Sequence, residues 1–149
     1  GLGKTAEELR CAVASSFMVS CDNAHAVHPN HPEKTDENNC VYLNEGVVVK
    51  SHAGQQYTSD AVSIALWKGI CEKAGTPVQF FANRSDLRGG STLGNIAMSQ
   101  VSMNAVDIGL PQLAMHSAYE TAGARDCAYM IRAVKAFFES GIREYTIRR

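Results

Sequence analysis

Along this chain, stretches whose apolar residues recur every three to four positions alternate with short continuous apolar runs. Residues Thr5 to Ser16 read as a helix: Thr5 caps it, Glu7 and Glu8 suit its positive end, and Leu9, Val13 and Phe17 recur at helical spacing. It runs into "FMVSCD", a short β-prone segment that leaves Asp22 at a strand's C-terminal end. Residues 23–43, "NAHAVHPNHPEKTDENNCVYL", are rich in His, Pro and Asn and read as a long exposed loop. "EGVVVK" is a buried strand ending in Lys50. Residues 58–74 give the clearest helix, capped by Thr58 or Ser59, with Val62, Ala65, Leu66, Ile70 and Cys71 as its apolar stripe and Gly75 closing it ahead of Pro77. "PVQFFA" is a further strand, "NRSDLRGGSTLG" a glycine-rich turn, "NIAMSQVSM" a helical pattern and "AVDIGLP" another strand. A last helix spans Ala124 to Glu139, with Met130, Val134, Phe137 and Phe138 facing inward.

Strands alternating with helices predict an α/β fold with a mostly parallel sheet flanked by helices. At 149 residues, 1–149 make a single domain. Sites in such sheets gather at the C-terminal ends of strands, so Asp22, Lys50, the "NRSD" turn and "PQLAMHS" are expected to meet there.

Composition narrows the function classes. Apolar residues are 45% and charged ones 19% of the chain, as in ordinary globular proteins. Fourteen basic residues against fifteen acidic ones, with "IRR" at the end as the basic cluster, imply neither nucleic acid nor an anionic membrane as partner. No apolar run approaches the roughly 18 residues of a spanning helix. Five dispersed cysteines with no C-x-x-C pair fit a cytoplasmic location and read as small hydrophobes; Cys21, beside Asp22, is a candidate soft metal ligand. The opening "GLGKTAEELR", without an initiator methionine, is the kind of start expected of a processed protein, an excised domain or a fragment.

The chemistry concentrates in "SCDNAHAVHPNHPEK", which places Asp22, His25, His28 and His31 within ten residues. Zinc needs three or four N, O or S ligands at about 2.0–2.3 Å, and Asp22 with His25 or His28 supplies part of such a set. The spacing matches neither H-E-x-x-H nor paired C-x-x-C, and His28 and His31, close to prolines, read equally as turn residues. His116 lies far off in "LPQLAMHSAYE" and alone reads as an edge histidine. "GGSTLGN" lacks the ending of a P-loop and the G-x-G-x-x-G of a dinucleotide fold, leaving a phosphate-binding α/β domain as a weak third reading. There is no G-x-S-x-G elbow.

Taken together, "SCDNAHAVHPNHPEK", "LNEGVVVK", "RSDLRGGSTLGNI" and "VDIGLPQLAMHSAYE" resemble, in that order, the C-terminal half of the aspartyl aminopeptidase family of zinc metallopeptidases. The resemblance runs from about Val19 to Phe138 and implies the C-terminal half of a zinc-aminopeptidase (phosphorylase/hydrolase-like) catalytic domain. In that family two zinc ions are bridged by an aspartate and water, with a glutamate as general base. By resemblance Asp22 and His116 are metal ligands, one for each ion. His25 is a catalytic residue that polarises the scissile carbonyl or orients the substrate. Lys50 and Tyr57 match positions lining the specificity pocket, where an ammonium pairs with an acidic side chain. Ser91, Thr92 and Gly94 are expected to shape its wall. Asn23 stands where the family often has a larger apolar residue.

The family's H-x-D ligand, its bridging aspartate and its Glu-Glu pair have no counterpart in this chain; Glu7-Glu8 reads as a helix's first turn. The chain alone is therefore expected to bind zinc weakly and to hydrolyse little. The resemblance further implies peptide substrates with acidic N-termini, a homo-oligomer in which a neighbouring subunit completes the site, and a separate N-terminal segment carrying the remaining ligands. The alternative is a non-catalytic remnant of the same fold that serves as a subunit or interaction module.

Overall fold

The computed structural model of the chain describes residues 2–141. The "IRR" cluster lies outside them. The first helix, α1 (Ala6–Ala14), begins with a full capping box, in which Thr5 Oγ1 accepts from Glu8 N–H and Glu8 returns to Thr5 N–H. Glu7 and Glu8 occupy its first turn, as the sequence indicates. None of its residues is buried, and Leu9, which recurs at helical spacing with Val13 and Phe17, is exposed.

After α1 come β1 (Phe17–Cys21), β2 (Ala24–His25), a 3-10 turn (Pro32–Lys34), β3 (Val47–Ser51), α2 (Ala61–Lys73), β4 (Val78–Ala82), α3 (Leu93–Gln100), β5 (Asn104–Gly109), β6 (Pro111–Leu113), β7 (Thr121–Ala122) and α4 (Ala124–Glu139). The main sheet has the order β1-β5-β3-β4, and β2-β6-β7 forms a smaller second sheet. The α/β class and the parallel pairing hold for β1 with β5, β3 with β4 and β2 with β6. The centre of the main sheet departs from that pattern: β3 runs antiparallel to β5, with Val49 opposite Ile108. Hydrophobic patterning reports burial and not strand direction, so this reversal leaves no trace in the sequence.

Alternation along the strands sorts side chains onto two faces. Val47 and Val49 of β3 join Val106 and Ile108 of β5 against Trp67, Ile70 and Cys71 of α2 and Ala133 of α4. Burial pushes the Cys71 thiol up to about 12, which keeps it a protonated, inert core group. Val48 points to the opposite face, where it clusters with Ala24, Val41, Tyr57 and Phe81.

Three expectations about the helices are corrected. The buried stripe of α2 is Ser63, Trp67, Ile70 and Cys71, whereas Val62 and Ala65 face outward. The large indole settles the rotation, because burying Trp67 removes more apolar surface than burying Val62 and Ala65. The cap of α2 is Asp60, whose carboxylate accepts from Ser63 N–H at 2.7 Å; Thr58 and Ser59 are engaged elsewhere. On α4, Met130, Val134 and Phe137 pack against the core while Phe138 is exposed.

A buried carboxylate ties α4 to the approach to β3. Asp126, fully enclosed, accepts from Asn44 N–H at 2.6 Å and Gly46 N–H at 3.0 Å. Gly46 has φ +119, and a Cβ there would meet the Pro77 carbonyl, so glycine is required at this turn. Asp126→Ala strips two backbone donors of their acceptor and is expected to cost about 3 kcal/mol of stability, measured by chemical denaturation.

Candidate metal and substrate site

A cavity of about 450 Å³ opens on the face opposite α2 and α4. The end of β1 supplies Asp22, β2 supplies His25, and β3 supplies Lys50. Tyr57 comes from the loop before α2, Ser91 from the glycine-rich turn, and His116 from the loop after β6. The residues expected to meet at a strand edge therefore do line one cavity. His28 and His31 stand on its rim with their rings tilted against each other, centroids 5.4 Å apart, and His31 Nδ1 lies 3.1 Å from Glu33. Thr92 and Gly94 are buried behind the wall that Ser91 lines: Thr92 bonds to Asp107, and Gly94 packs against Ser20 and Thr58. Cys21 does not line the cavity, and burial pushes its thiol up, which disfavours the thiolate a metal needs.

Close backbone approach makes the site possible. A Cβ on Gly109 would fall 1.9 Å from the Asp22 carbonyl oxygen, so only glycine lets β1 end against β5 with Asp22 in place. Asn23 staples the junction, donating to Gln112 Oε1 at 3.0 Å and accepting from Leu110 N–H at 3.2 Å. An apolar residue here would leave Gln112 Oε1 and the Leu110 N–H without these partners.

Lys50 is the floor of the cavity and only 2% exposed. Its ammonium donates to Asp22 Oδ2 and to the Asn23 carbonyl, both at 3.3 Å, and sits 4.9 Å from the centre of the Tyr57 ring. Burial pulls its pKa down, and the charges of Asp22 and Asp107 oppose that pull. Tyr57 receives an edge of His52 at 5.8 Å, and its hydroxyl accepts from Asn83 at 3.3 Å. Desolvation holds its phenol above the ordinary range.

His25 is held below the ordinary imidazole range, first by desolvation at the cavity wall and then by the charges of His116 and Lys50, with Asp22 opposing. His116 carries a left-handed backbone, φ +65, two residues after Ala114 at φ +53, and its N–H donates to Glu120 Oε1 at 2.7 Å. Such conformations are costly for residues other than glycine and persist where surrounding contacts impose them.

The donors suit zinc in kind, a carboxylate and an imidazole, but not in number. Among the described residues no group of three His, Cys, Asp or Glu side chains stands ready to hold an ion. Asp22 Oδ2 is shared with Lys50, which leaves Oδ1 as the donor for a metal. Sequence reasoning passed over Asp107 and Gln112, and marked Asn23 only as a departure from the family; the one signal for Asp107 was a charged residue inside the apolar strand "AVDIG".

Residues 2–138 match the family model described as aminopeptidase I zinc metalloprotease (M18). The chain belongs to this family. It is 48% identical over 132 residues to a probable M18 family aminopeptidase 2 of Clostridium novyi (strain NT), covering 89% of this chain and 30% of that protein. To the protein of the same name from Pseudomonas aeruginosa (strain UCBPP-PA14) it is 43% identical over 129 residues, covering 87% of this chain and 30% of the relative. Among solved structures, a chain in the Ape4 and Nbr1 complex superposes with TM-score 0.94 at 35% identity, covering 99% of this chain and 29% of that one. Yeast aminopeptidase 1 (Ape1) gives 0.82 at 25% identity, covering 95% and 31%. The M18 chain described here thus spans about 30% of the length of the curated relatives it matches.

The environment of His25 gives a signed pH dependence. An NMR titration of its ring is expected to show a midpoint below about 6.5, and Lys50→Met moves that midpoint upward by removing a positive charge. The unfolded ring binds a proton more readily than the folded one. The protein therefore loses stability relative to His25→Gln as pH falls below about 6.5 toward the folded midpoint, and the difference is pH-independent above that window.

Proposed function

We infer that this chain is the C-terminal part of the catalytic domain of a metallo-aminopeptidase that removes acidic N-terminal residues from peptides. The observation that carries the reading is the convergence of Asp22, His25, Lys50, Tyr57 and His116 on one cavity, within a chain that belongs to the M18 family. Asp22 and His116 would each hold one of two zinc ions, with the remaining ligands and the general base coming from a segment N-terminal to this chain. Zinc, when bound, supplies Lewis acidity that lowers the pKa of water and polarises the peptide carbonyl.

The chain's own residues act around that chemistry. Lys50 presents a buried ammonium to the substrate's carboxylate, an interaction strengthened by the low local dielectric and by the ring of Tyr57. His25, favoured as neutral imidazole, donates a hydrogen bond to the scissile carbonyl and orients it. Ser91, with Thr92 and Gly94 behind it, forms the wall that excludes water from the acidic side chain. The five cysteines are all free thiols, which accords with a cytoplasmic setting. A solved relative, mApe1, is a dodecamer, and we place this chain in a homo-oligomer of that kind.

The test is release of N-terminal aspartate from a short peptide by the purified chain, with zinc and with a chelator. Little turnover is expected from the chain alone, and metal-dependent turnover on adding the N-terminal segment of an M18 relative. In that complemented enzyme, Lys50→Met is expected to lower the preference for aspartyl over neutral peptides about 10- to 100-fold in kcat/KM. No gain on complementation favours the interaction-module alternative; an unchanged preference in Lys50→Met removes Lys50 from substrate recognition.

A further inference from the structure

Beneath the cavity lies a carboxylate that neither the metal reading nor the carbonyl chemistry uses. Asp107 sits in the middle of β5, with no exposed surface. Its hydrogen bonds all fall on one oxygen: Oδ2 accepts from Thr58 N–H at 2.6 Å, Thr58 Oγ1 at 3.0 Å and Thr92 Oγ1 at 3.0 Å. Its backbone is tied to the same segment, the N–H donating to Ser59 Oγ at 2.9 Å. Oδ1 is buried and has no hydrogen-bond partner among the described residues.

That asymmetry carries the inference. A purely structural anchor needs one acceptor oxygen, which an asparagine amide provides. The second oxygen brings a charge and a large desolvation cost, and no donor meets it. The nearest positive charge is the ammonium of Lys50, which makes no direct bond to Asp107 and pairs with Asp22 and the Asn23 carbonyl instead. Continuing the antiparallel register one step past Val49 and Ile108 sets Lys50 and Asp107 on neighbouring strands, both on the cavity face. The charge of Asp107 reaches Lys50 and Tyr57 alike. Thr58 directly follows Tyr57, whose ring backs the ammonium, and Thr92 directly follows Ser91, which also lines the cavity.

We propose that Asp107 is the positioning residue of the acid-binding pocket, its charge fixing the Lys50 ammonium against Tyr57 while its hydrogen bonds set the two walls that flank it. The specificity part rests on the reading of Lys50 as the group that meets the substrate's carboxylate; the positioning part does not. When Asp22 serves a metal, Asp107 remains as the anion that holds Lys50 in place. Asp107 makes no contact with the reacting atoms.

The experiment uses the chain itself, carrying 13C-labelled lysine. The ε-methylene resonance of Lys50, identified by its loss in Lys50→Met, is expected to be displaced from those of the other lysines by the Tyr57 ring current. In Asp107→Asn, with the backbone amide map otherwise native, that resonance moves toward the others, and affinity for the probe L-aspartate amide falls about tenfold against the neutral control L-asparagine amide. Thr92→Val, which removes a hydrogen bond without touching charge, leaves the Lys50 resonance in place. A Lys50 resonance unchanged in Asp107→Asn overturns the proposal. If that resonance moves in Asp107→Asn while the unmodified chain fails to distinguish the two probes, positioning stands and the acid-recognition reading falls. Should Asp107→Asn not fold, the double variant Lys50→Met/Asp107→Asn decides: recovery of folding supports the pairing of charges, and continued failure, with Lys50→Met alone unaffected, overturns it.

Discussion

A lysine ammonium with almost no exposed surface must be matched by anions and dipoles at close range, because burial otherwise drives it to give up its proton. Lys50 is matched from two sides. Asp22 and the Asn23 carbonyl approach from the end of β1, and Asp107 lies next to it on β5. This requirement constrains the sheet. β3 must lie beside β5 and run against it, and β1 must end close over Gly109, where no side chain can stand. The loop before α2 must lie against Asp107 so that Tyr57 can back the charge. The main core on the other face, built around Trp67, makes that arrangement rigid enough to keep.

The helices and strands were largely legible because their signals are local. The capping residue Thr5, the closing Gly75 and the run "VVVK" each mark an element with chemistry contained in a few neighbours. Which face a helix buries is less local. On α2 the indole of Trp67 outweighed Val62 and Ala65 and turned the stripe toward Ser63. The antiparallel centre was not legible at all, since a strand buried on both faces looks the same in either direction.

The site divides in the same way. Asp22, His25, Lys50, Tyr57 and His116 could be picked out through motifs whose residue types carry chemistry, and the fold brings them to one cavity. Asp107 and Gln112 could not, and Asn23 showed only as a departure from the family, because their work is to hold other residues. A supporting carboxylate in an apolar strand and an amide at a strand junction acquire meaning only when distant segments are in contact, as Thr58 and Thr92 are with Asp107.

The pairing of Phe17 with Asn104 and of Cys21 with Ile108 joins the first strand to one made near the end of the described chain. Long loops must close before such contacts are rewarded, which places folds of this kind among the slower ones. During synthesis, Asp22, His25 and Lys50 emerge well before β5 and the His116 loop that complete their surroundings. Until β5 inserts between β1 and β3, β1 has no neighbour in the main sheet and β3 has only β4, and the cavity is incomplete. The convergence of Asp22, His25, Lys50 and His116 on one cavity therefore arrives together with the sheet.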